Sequence, residues 1–294
     1  MAAHTTFGVG GPADVYAIPD SEADLAELLR VAAQASLPCF VLGGGANILV
    51  ADAGIRGLVI DMSRFNEIGE SSPESTTHCV EVGAGLPVSE ASAWSADRGL
   101  QGLEFIYAMP GSVAGAVWMN ARCYGAEILD VLKFVDYLEP DGTKVHYEPE
   151  ESDFSYKRSP FQGTRRIMTK VGFVLKEGDS DPLWEEMRDH ERDRTAKGHF
   201  AAPCAGSIFK NNRDFGAPSG VIIDQLGLRG FAVGGAKVSD LHANIIINAG
   251  GATAADIRAV IEHVEETVCR ERGLELEREI LYVGNWGSNE QRKR

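Results

Sequence analysis

No stretch of this chain strings together the roughly 18 to 20 apolar residues that a membrane-spanning helix needs, and Met1-Ala2-Ala3-His4 opens no secretory signal. A soluble, cytoplasmic protein is expected. Cysteine is sparse: Cys39, Cys79, Cys123, Cys204 and Cys269 are odd in number, widely spaced and never arranged Cys-x-x-Cys. That pattern supports neither a disulfide framework nor a zinc site, and no metal is expected. Positive charge is also short. The 28 Lys and Arg face 43 Asp and Glu, a formal charge of −15, and nucleic-acid binding needs a basic face that such a balance does not offer. An anionic small ligand is compatible with that total where cations cluster locally.

What the chain does have is glycine at the ends of apolar runs. Val41-Leu42-Gly43-Gly44-Gly45-Ala46-Asn47 and Met109-Pro110-Gly111-Ser112-Val113-Ala114-Gly115 can each bring bare backbone N–H groups to an anion, and together they can grip a pyrophosphate from two sides. Neither has the spacing of the Rossmann fingerprint or the P-loop, so another dinucleotide fold is implied. Gly111 precedes a helix-compatible stretch, Val113 to Asn120, whose N-terminal N–H groups and dipole suit a phosphate.

With 294 residues and 44 % hydrophobic content, two or three packed units are expected. Ser21 caps a helix with Leu25, Leu28, Leu29 and Ala32 on one face, which leads into a strand from Pro38 to Leu42, with another at Ile48 to Val50. The polar run Ser71 to Thr77 reads as a loop between subdomains. Strands follow at Val80 to Gly83, Phe134 to Leu138 and Ile167 to Leu175, with turn chemistry at Pro140-Asp141-Gly142-Thr143. The charge-dense Glu185 to Arg194 reads as an exposed helix or linker. Beyond it lie a helix at Ser219 to Leu226, a strand at Ile245 to Asn248, a helix from Thr253 to about Arg272 and a closing strand, Leu276 to Val283. The expected division is therefore 1–177, with subdomains of about 1–70 and 71–177, then 178–287, then a disordered tail, 288–294.

Residues able to carry chemistry fall in three places. Ala205-Gly206-Ser207-Ile208-Phe209-Lys210-Asn211 sets a hydroxyl, an ammonium and a carboxamide close together, without the Gly-x-Ser-x-Gly elbow of a hydrolase. A lone loop serine more often bonds its own backbone. Glu279, read as strand, shares a face with Leu281 and Val283, and is either a desolvated acid–base group or an ion-pair partner of Arg278 or a lysine. Ser155-Tyr156-Lys157-Arg158-Ser159-Pro160 puts two cations beside an aromatic ring, a pattern that is usually just a solvated face. His242, with no second histidine at ligand spacing, reads as a hydrogen-bonded structural residue.

In order and spacing, these motifs closely resemble the UDP-N-acetylenolpyruvoylglucosamine reductase family of bacterial peptidoglycan synthesis. The carrying segments are Thr5 to Ala13, Leu42 to Val50, Gly102-Leu103-Glu104-Phe105, Pro110 to Ala116, Tyr156 to Phe161, Ala205 to Asn211, Ile223 to Gly230 and His242 to Asn248, nearly the whole chain. The resemblance implies an α/β FAD-binding fold of the vanillyl-alcohol-oxidase (PCMH) type in two subdomains, followed by a smaller α+β substrate-binding domain. It implies that FAD meets Leu42, Gly43, Gly44, Gly45, Ala46, Asn47 and Ile48 on one loop and Pro110, Gly111, Ser112, Gly115 and Ala116 on the other.

The implied reaction takes a hydride from NADPH through the flavin to the enolpyruvyl double bond of UDP-N-acetylglucosamine enolpyruvate, giving UDP-N-acetylmuramate. Ser207 would protonate the carbon beside the carboxylate and Glu279 would stabilise the enolate-like intermediate. Tyr156, Lys197, Asn211 and Gln225 would contact the UDP-sugar. The family motif Tyr-Arg-x-Ser is altered here, Lys157 standing in the arginine's place with Arg158 next to it, and Lys157 is expected to be the equivalent. The chain reads as the shorter type, without an inserted tyrosine loop, as a monomer, and as starting almost at the Thr5 motif, with the upstream helix of relatives missing or truncated. An oxidase with histidine-linked flavin lacks an attachment residue at Ala46 and Asn47, and retention of Ser207 and Glu279 counts against a non-catalytic nucleotide binder.

Overall fold

The computed structural model describes residues 1–74 and 77–287, and the chain packs into two compact units. A central unit comprises Val15–Gly44 and Gly57–Arg192. A terminal unit comprises Met1–Asp14, Gly45–Arg56 and the chain from Asp193. Among the described residues no helix is long and apolar enough to cross a membrane. The expected tail, 288–294, lies outside the described residues.

In the central unit, helix α1 (Glu22–Gln34) begins where the Ser21 Oγ accepts the Asp24 N–H at 3.1 Å. Its buried face of Leu25, Leu29 and Ala32 meets Leu58, Ile60 and Met62. Leu58 and Ile60 belong to a three-stranded sheet ordered Ala13–Ala17, Ile55–Asp61, Cys39–Leu42, in which Cys39 pairs in parallel with Leu58. The same cluster takes in Leu138 and Ile167 from a second, antiparallel sheet ordered Lys144–Tyr147, Leu132–Leu138, Ile167–Glu177, Thr77–Gly83, Ile68–Glu74. Helices α2 (Val88–Ala96) and α3 (Val113–Trp118) contribute Val88, Ala91, Val113 and Val117 to that sheet's core. Helix α4 (Ser180–Ala196) buries Leu183 and Met187 against Ala96.

Two expectations change here. Ser71 lies in a strand, paired with Cys79, and Glu74 pairs with Thr77, so the polar run is the end of a hairpin rather than a linker; residues 75 and 76 lie outside the described residues. The segment Glu185 to Arg194 is helical, and α4 is anchored by the buried Leu183 and Met187 rather than fully exposed.

The terminal unit is built on an antiparallel sheet ordered Cys204–Ser207, Ile245–Asn248, Ala236–Val238, Ala232–Val233. Beside it, in the same core, lie α5 (Ser219–Gln225) and α6 (Ala254–Arg272). Helix α6 opens with a full capping box between Thr253 and Asp256 and stops at Gly273. Its Ile257, Val260, Ile261, Val264 and Val268 recur at helical spacing and are buried. Ile48–Val50 pairs in parallel with Leu281–Val283, Leu281 lying opposite Ile48. Phe7 and Val9 are buried in the same core, which is why the first residues of the chain pack with the last hundred. The units are thus interleaved in sequence, unlike the sequential division expected at residue 177.

Phe7 is fully buried, so Phe7→Ala is expected to destabilise the protein by about 3 to 5 kcal/mol. Urea unfolding followed by circular dichroism measures this; a loss under about 1 kcal/mol would show that the N-terminal segment is peripheral.

Candidate active site

In the central unit the two glycine loops touch. A Cβ on Gly44 would fall 2.6 Å from the Gly111 Cα, and one on Gly43 would fall 2.3 Å from the Ser112 Oγ. Only glycine permits that approach. Leu42, which ends the strand before the loop, is buried, and its carbonyl accepts the Met62 N–H at 3.0 Å. Pro110 leads into Gly111, whose carbonyl accepts the Val88 N–H at 3.0 Å.

The N–H accounting differs from the sequence expectation. Helix α3 has six residues, and its first N–H groups are already committed: Val113 donates to Leu86 O at 2.9 Å, Ala114 to Ala84 O at 2.9 Å and Gly115 to the Ser112 Oγ at 3.3 Å. Ala116 donates to Ser112 O at 2.9 Å. The helix end therefore presents no spare donors from Val113 to Ala116. On the two loops, the N–H groups of Gly43 and Gly44 on one and of Gly111 and Ser112 on the other have no protein acceptor among the described residues. Those two pairs sit in contact, which makes the junction of the loops, a four-amide cleft, a candidate anion site.

The expected cation motif also lies in the central unit. Ser155 and Arg158 exchange backbone hydrogen bonds of 3.2 and 3.0 Å around a tight turn that holds Lys157 at φ +60°. A left-handed non-glycine residue costs about 1 to 2 kcal/mol, and such strain concentrates at functional positions. Gln162 donates to the Lys157 carbonyl at 3.0 Å, and the Ser159 Oγ donates to Trp118 O at 2.8 Å, fixing both ends of the turn. Lys157 is half-buried, whereas Tyr156 and Arg158 are exposed.

In the terminal unit, Ser207 ends the strand Cys204–Ser207 just after a bulge at Gly206, which has φ +69°. The next residues pair on their other edge with the segment carrying Glu279. Phe209 bridges Arg278, the Glu279 N–H donates to Ile208 O at 2.7 Å and the Lys210 N–H donates to Glu277 O at 2.9 Å. Ser207 and Glu279, 72 positions apart in sequence, are thereby brought onto adjoining backbone. Glu279 itself sits in a bend, because the strand begins only at Leu281. The alternation argument for its face therefore fails: Leu281 is exposed and Val283 buried. Arg278 does not serve as its ion-pair partner, since that guanidinium grips Glu265, with Nη2 at 2.6 Å from Oε2.

The Glu279 carbonyl accepts from the Asn47 Nδ2 at 3.0 Å, and the Asn47 carbonyl accepts the Leu281 N–H at 3.0 Å. Asn47, expected as a cofactor contact, is thus also a strut for Glu279. Gly45 accepts the Thr6 N–H at 3.1 Å, the Ala46 carbonyl accepts from the Thr6 Oγ1 at 3.5 Å, and Ile48 enters the parallel pair with Leu281.

The expected sugar contacts are already engaged in part. The Asn211 Oδ1 accepts the Ser219 N–H at the start of α5 at 3.0 Å, the Gln225 Oε1 accepts from Arg272 at 3.3 Å, and the Lys197 Nζ pairs with Asp193 at 2.6 Å. Sequence reasoning did not single out Asn244, which is buried and bonded through its side chain to both polar groups of the Phe209 main chain. Its only sequence signal was its place beside His242.

His242 Nδ1 accepts the Asn244 N–H at 3.2 Å, in line with the structural role expected of it. Burial first, then Lys197 and Arg229, lowers its pKa and keeps that nitrogen free to accept. His199, 6.4 Å away between ring centroids, is lowered to about 4 by burial and then by Arg194, His242 and Lys197.

Two family models match the chain: the C-terminal domain of UDP-N-acetylenolpyruvoylglucosamine reductase over residues 198–283, and an FAD binding domain over residues 13–148. UDP-N-acetylenolpyruvoylglucosamine reductase of Treponema denticola is 40 % identical, with 96 % of this chain and 91 % of that protein covered. The enzyme of the same name from Heliobacterium modesticaldum is also 40 % identical, covering 98 % and 90 %. The crystal structure of UDP-N-acetylenolpyruvylglucosamine reductase (MurB) from Thermus caldophilus superposes with a TM-score of 0.79 at 32 % identity, with 96 % of each chain covered.

The lowered His199 has a signed consequence. The unfolded chain takes up a proton near the ordinary pKa of 6.5, whereas the folded one does so only near 4, so stability is lost as pH falls between those values. His199→Gln is expected to flatten the fall. Urea midpoints from pH 7 down to pH 4 test this, and parallel curves for the two proteins would refute it.

Proposed function

The chain belongs to the UDP-N-acetylenolpyruvoylglucosamine reductase family, and from that premise we infer that it reduces UDP-N-acetylglucosamine enolpyruvate to UDP-N-acetylmuramate, with NADPH as hydride donor, for peptidoglycan synthesis. It is a flavin-dependent oxidoreductase whose cofactor is FAD. The observation that carries the residue assignments is the pairing of the Ser207 and Glu279 segments, together with the four-amide cleft of the glycine loops.

The cleft fits the cofactor. Gly43, Gly44, Gly111 and Ser112 would hold its pyrophosphate through N–H groups that have no protein acceptor and through an approach that a Cβ at Gly43 or Gly44 would block. When bound, FAD would supply the redox chemistry, linking the hydride of NADPH to reduction of the substrate's alkene. Ser207 gives its Oγ proton to the alkene carbon bearing the carboxylate, and Glu279 stabilises the enolate-like intermediate. Lys157 supplies charge for the substrate carboxylate from its strained, doubly anchored turn. Tyr156, Lys197, Asn211 and Gln225 are the remaining substrate contacts. Asn211 offers its Nδ2, since its Oδ1 is engaged by Ser219. The chain is read as the shorter type of reductase, without an inserted tyrosine loop.

Three outcomes follow. Gly44→Ala is expected to purify with little or no flavin, measured as visible absorbance per chain; full occupancy would exclude the cleft as the pyrophosphate site. Under anaerobic conditions NADPH should bleach the flavin and UDP-N-acetylglucosamine enolpyruvate should restore its absorbance. In Ser207→Ala the second step should fall on the order of 100-fold or more, with the first unchanged. Reoxidation by oxygen alone would remove the substrate assignment. Lys157→Ala should raise the KM for the UDP-sugar on the order of 10-fold or more, as loss of a charged contact does, while Arg158→Ala changes it little. The reverse ranking would move the role to Arg158.

A further inference from the structure

We propose that Asn244 is a positioning residue for Ser207, acting through a side-chain clamp on the backbone that follows it. The proposal rests on the reading of Ser207 as the proton donor.

The clamp is explicit in the geometry. The ladder between Cys204–Ser207 and Ile245–Asn248 pairs Cys204 with Ile247 and then, after the bulge, Ser207 with Ile245. Beyond Ser207 the partner strand has ended, and residues 240–244 turn away. Asn244 continues the pairing nonetheless. Its backbone carbonyl accepts the Ile208 N–H at 2.9 Å, its Oδ1 accepts the Phe209 N–H at 2.9 Å and its Nδ2 donates to Phe209 O at 2.8 Å. A carboxamide carries an NH2 donor group and a carbonyl acceptor in a single plane, so it can stand in for a missing peptide in a ladder. Aspartate cannot donate the second of these bonds, and alanine makes neither.

Position makes the clamp matter. On its other edge, residues 208–210 hold the Glu279 segment through the Glu279 N–H to Ile208 O and the Lys210 N–H to Glu277 O. Residues 207–210 are therefore gripped on one side by Asn244 and on the other by 277–279. Gly206, at φ +69° with nothing within 4 Å of an added Cβ, is a soft joint immediately before Ser207. Without the clamp, Phe209 loses both of its bonds on the Asn244 edge, and beyond Ser207 that edge is held only by the Ile208 N–H on the Asn244 carbonyl. Asn244 is 4 % exposed, so both of its bonds lie away from competing water. Its own N–H donates to His242 Nδ1 at 3.2 Å, which fixes the turn from which the carboxamide projects.

The test is a double-mutant cycle on the FAD-loaded enzyme with Asn244→Ala, Ser207→Ala and the double variant. NADPH reduction and reoxidation by UDP-N-acetylglucosamine enolpyruvate are followed separately in rapid anaerobic mixing. Asn244→Ala is expected to slow reoxidation at saturating substrate on the order of 10- to 100-fold, leaving the reduction rate and substrate affinity near wild type. In the Ser207→Ala background the same change should cost no more than about 2- to 3-fold, because the group it positions is gone. Asn244→Asp, which keeps the acceptor, should fall between wild type and alanine, and it carries the comparison if the alanine variant folds poorly. Equal slowing of both half-reactions, or fully multiplicative effects in the cycle, would overturn the proposal while leaving Ser207 in place. If Ser207→Ala reoxidises at the wild-type rate, the reading of Ser207 fails, and the proposal fails with it.

Discussion

The peptide groups flanking Glu279 are the point on which the terminal unit's proposed chemistry depends. Its N–H is taken by Ile208 and its carbonyl by Asn47, 232 positions away. Closing so long a loop costs only logarithmically more than closing a short one, but a pair of hydrogen bonds does not offset it alone. The compensation is the core beneath: Phe7, Leu49, Phe209, Ile257 and Ile280 are buried in one cluster, and each comes from a different stretch of sequence. Hydrophobic burial brings the segments together without direction. The Asn47 and Ile208 bonds then fix the register to which Glu279 and Ser207 are held.

How much of this could be read beforehand depends on the range of the interaction responsible. Local signals were reliable. The Ser21 cap with Leu25, Leu29 and Ala32 behind it, the helix start at Thr253 and the run Ile48 to Val50 each carry their instruction within a few residues, and each appears where it was read. The glycine loops were legible as a pair, because two clusters after apolar runs rarely serve turns alone. Which N–H groups they leave open was not. That depended on Leu86 and Ala84 reaching in to satisfy Val113 and Ala114, long-range partners that no spacing announces. Glu279 failed for the same reason. Its alternating neighbours looked like strand, but pairing with Ile48 starts only at Leu281, and before that the backbone is drawn aside to Ile208.

The acidic total of the chain is reconciled with anionic ligands by where its cations are spent and by what replaces them. In the terminal unit Lys197, Lys210, Arg229 and Arg278 each face a carboxylate within hydrogen-bond or ion-pair distance. Such pairs leave little net field, and exposed ones are worth at most about 1 kcal/mol. In the central unit the proposed anion site uses neutral amides instead. A backbone N–H carries no charge that would repel its neighbours in the absence of ligand, and it needs no counter-ion. On the proposed site, a protein of net charge −15 would hold a diphosphate without a basic patch.

The same arrangement explains why glycine, and not merely a flexible loop, stands at positions 43 and 44. A turn alone would tolerate asparagine or serine at many of its positions. Here the requirement is contact, since Gly111 and Ser112 occupy the volume a side chain would fill. Bringing two loop backbones that close normally leads them to bond each other, which would consume their donors. They do not: Gly43 and Gly44 approach Gly111 and Ser112 while all four N–H groups stay open. Gly43 and Gly44 lie exposed, where water can serve them in the absence of cofactor. On the proposed site, binding would exchange water for phosphate oxygen on preformed donors, and the cofactor would add its binding free energy to the stability of the unit that holds it.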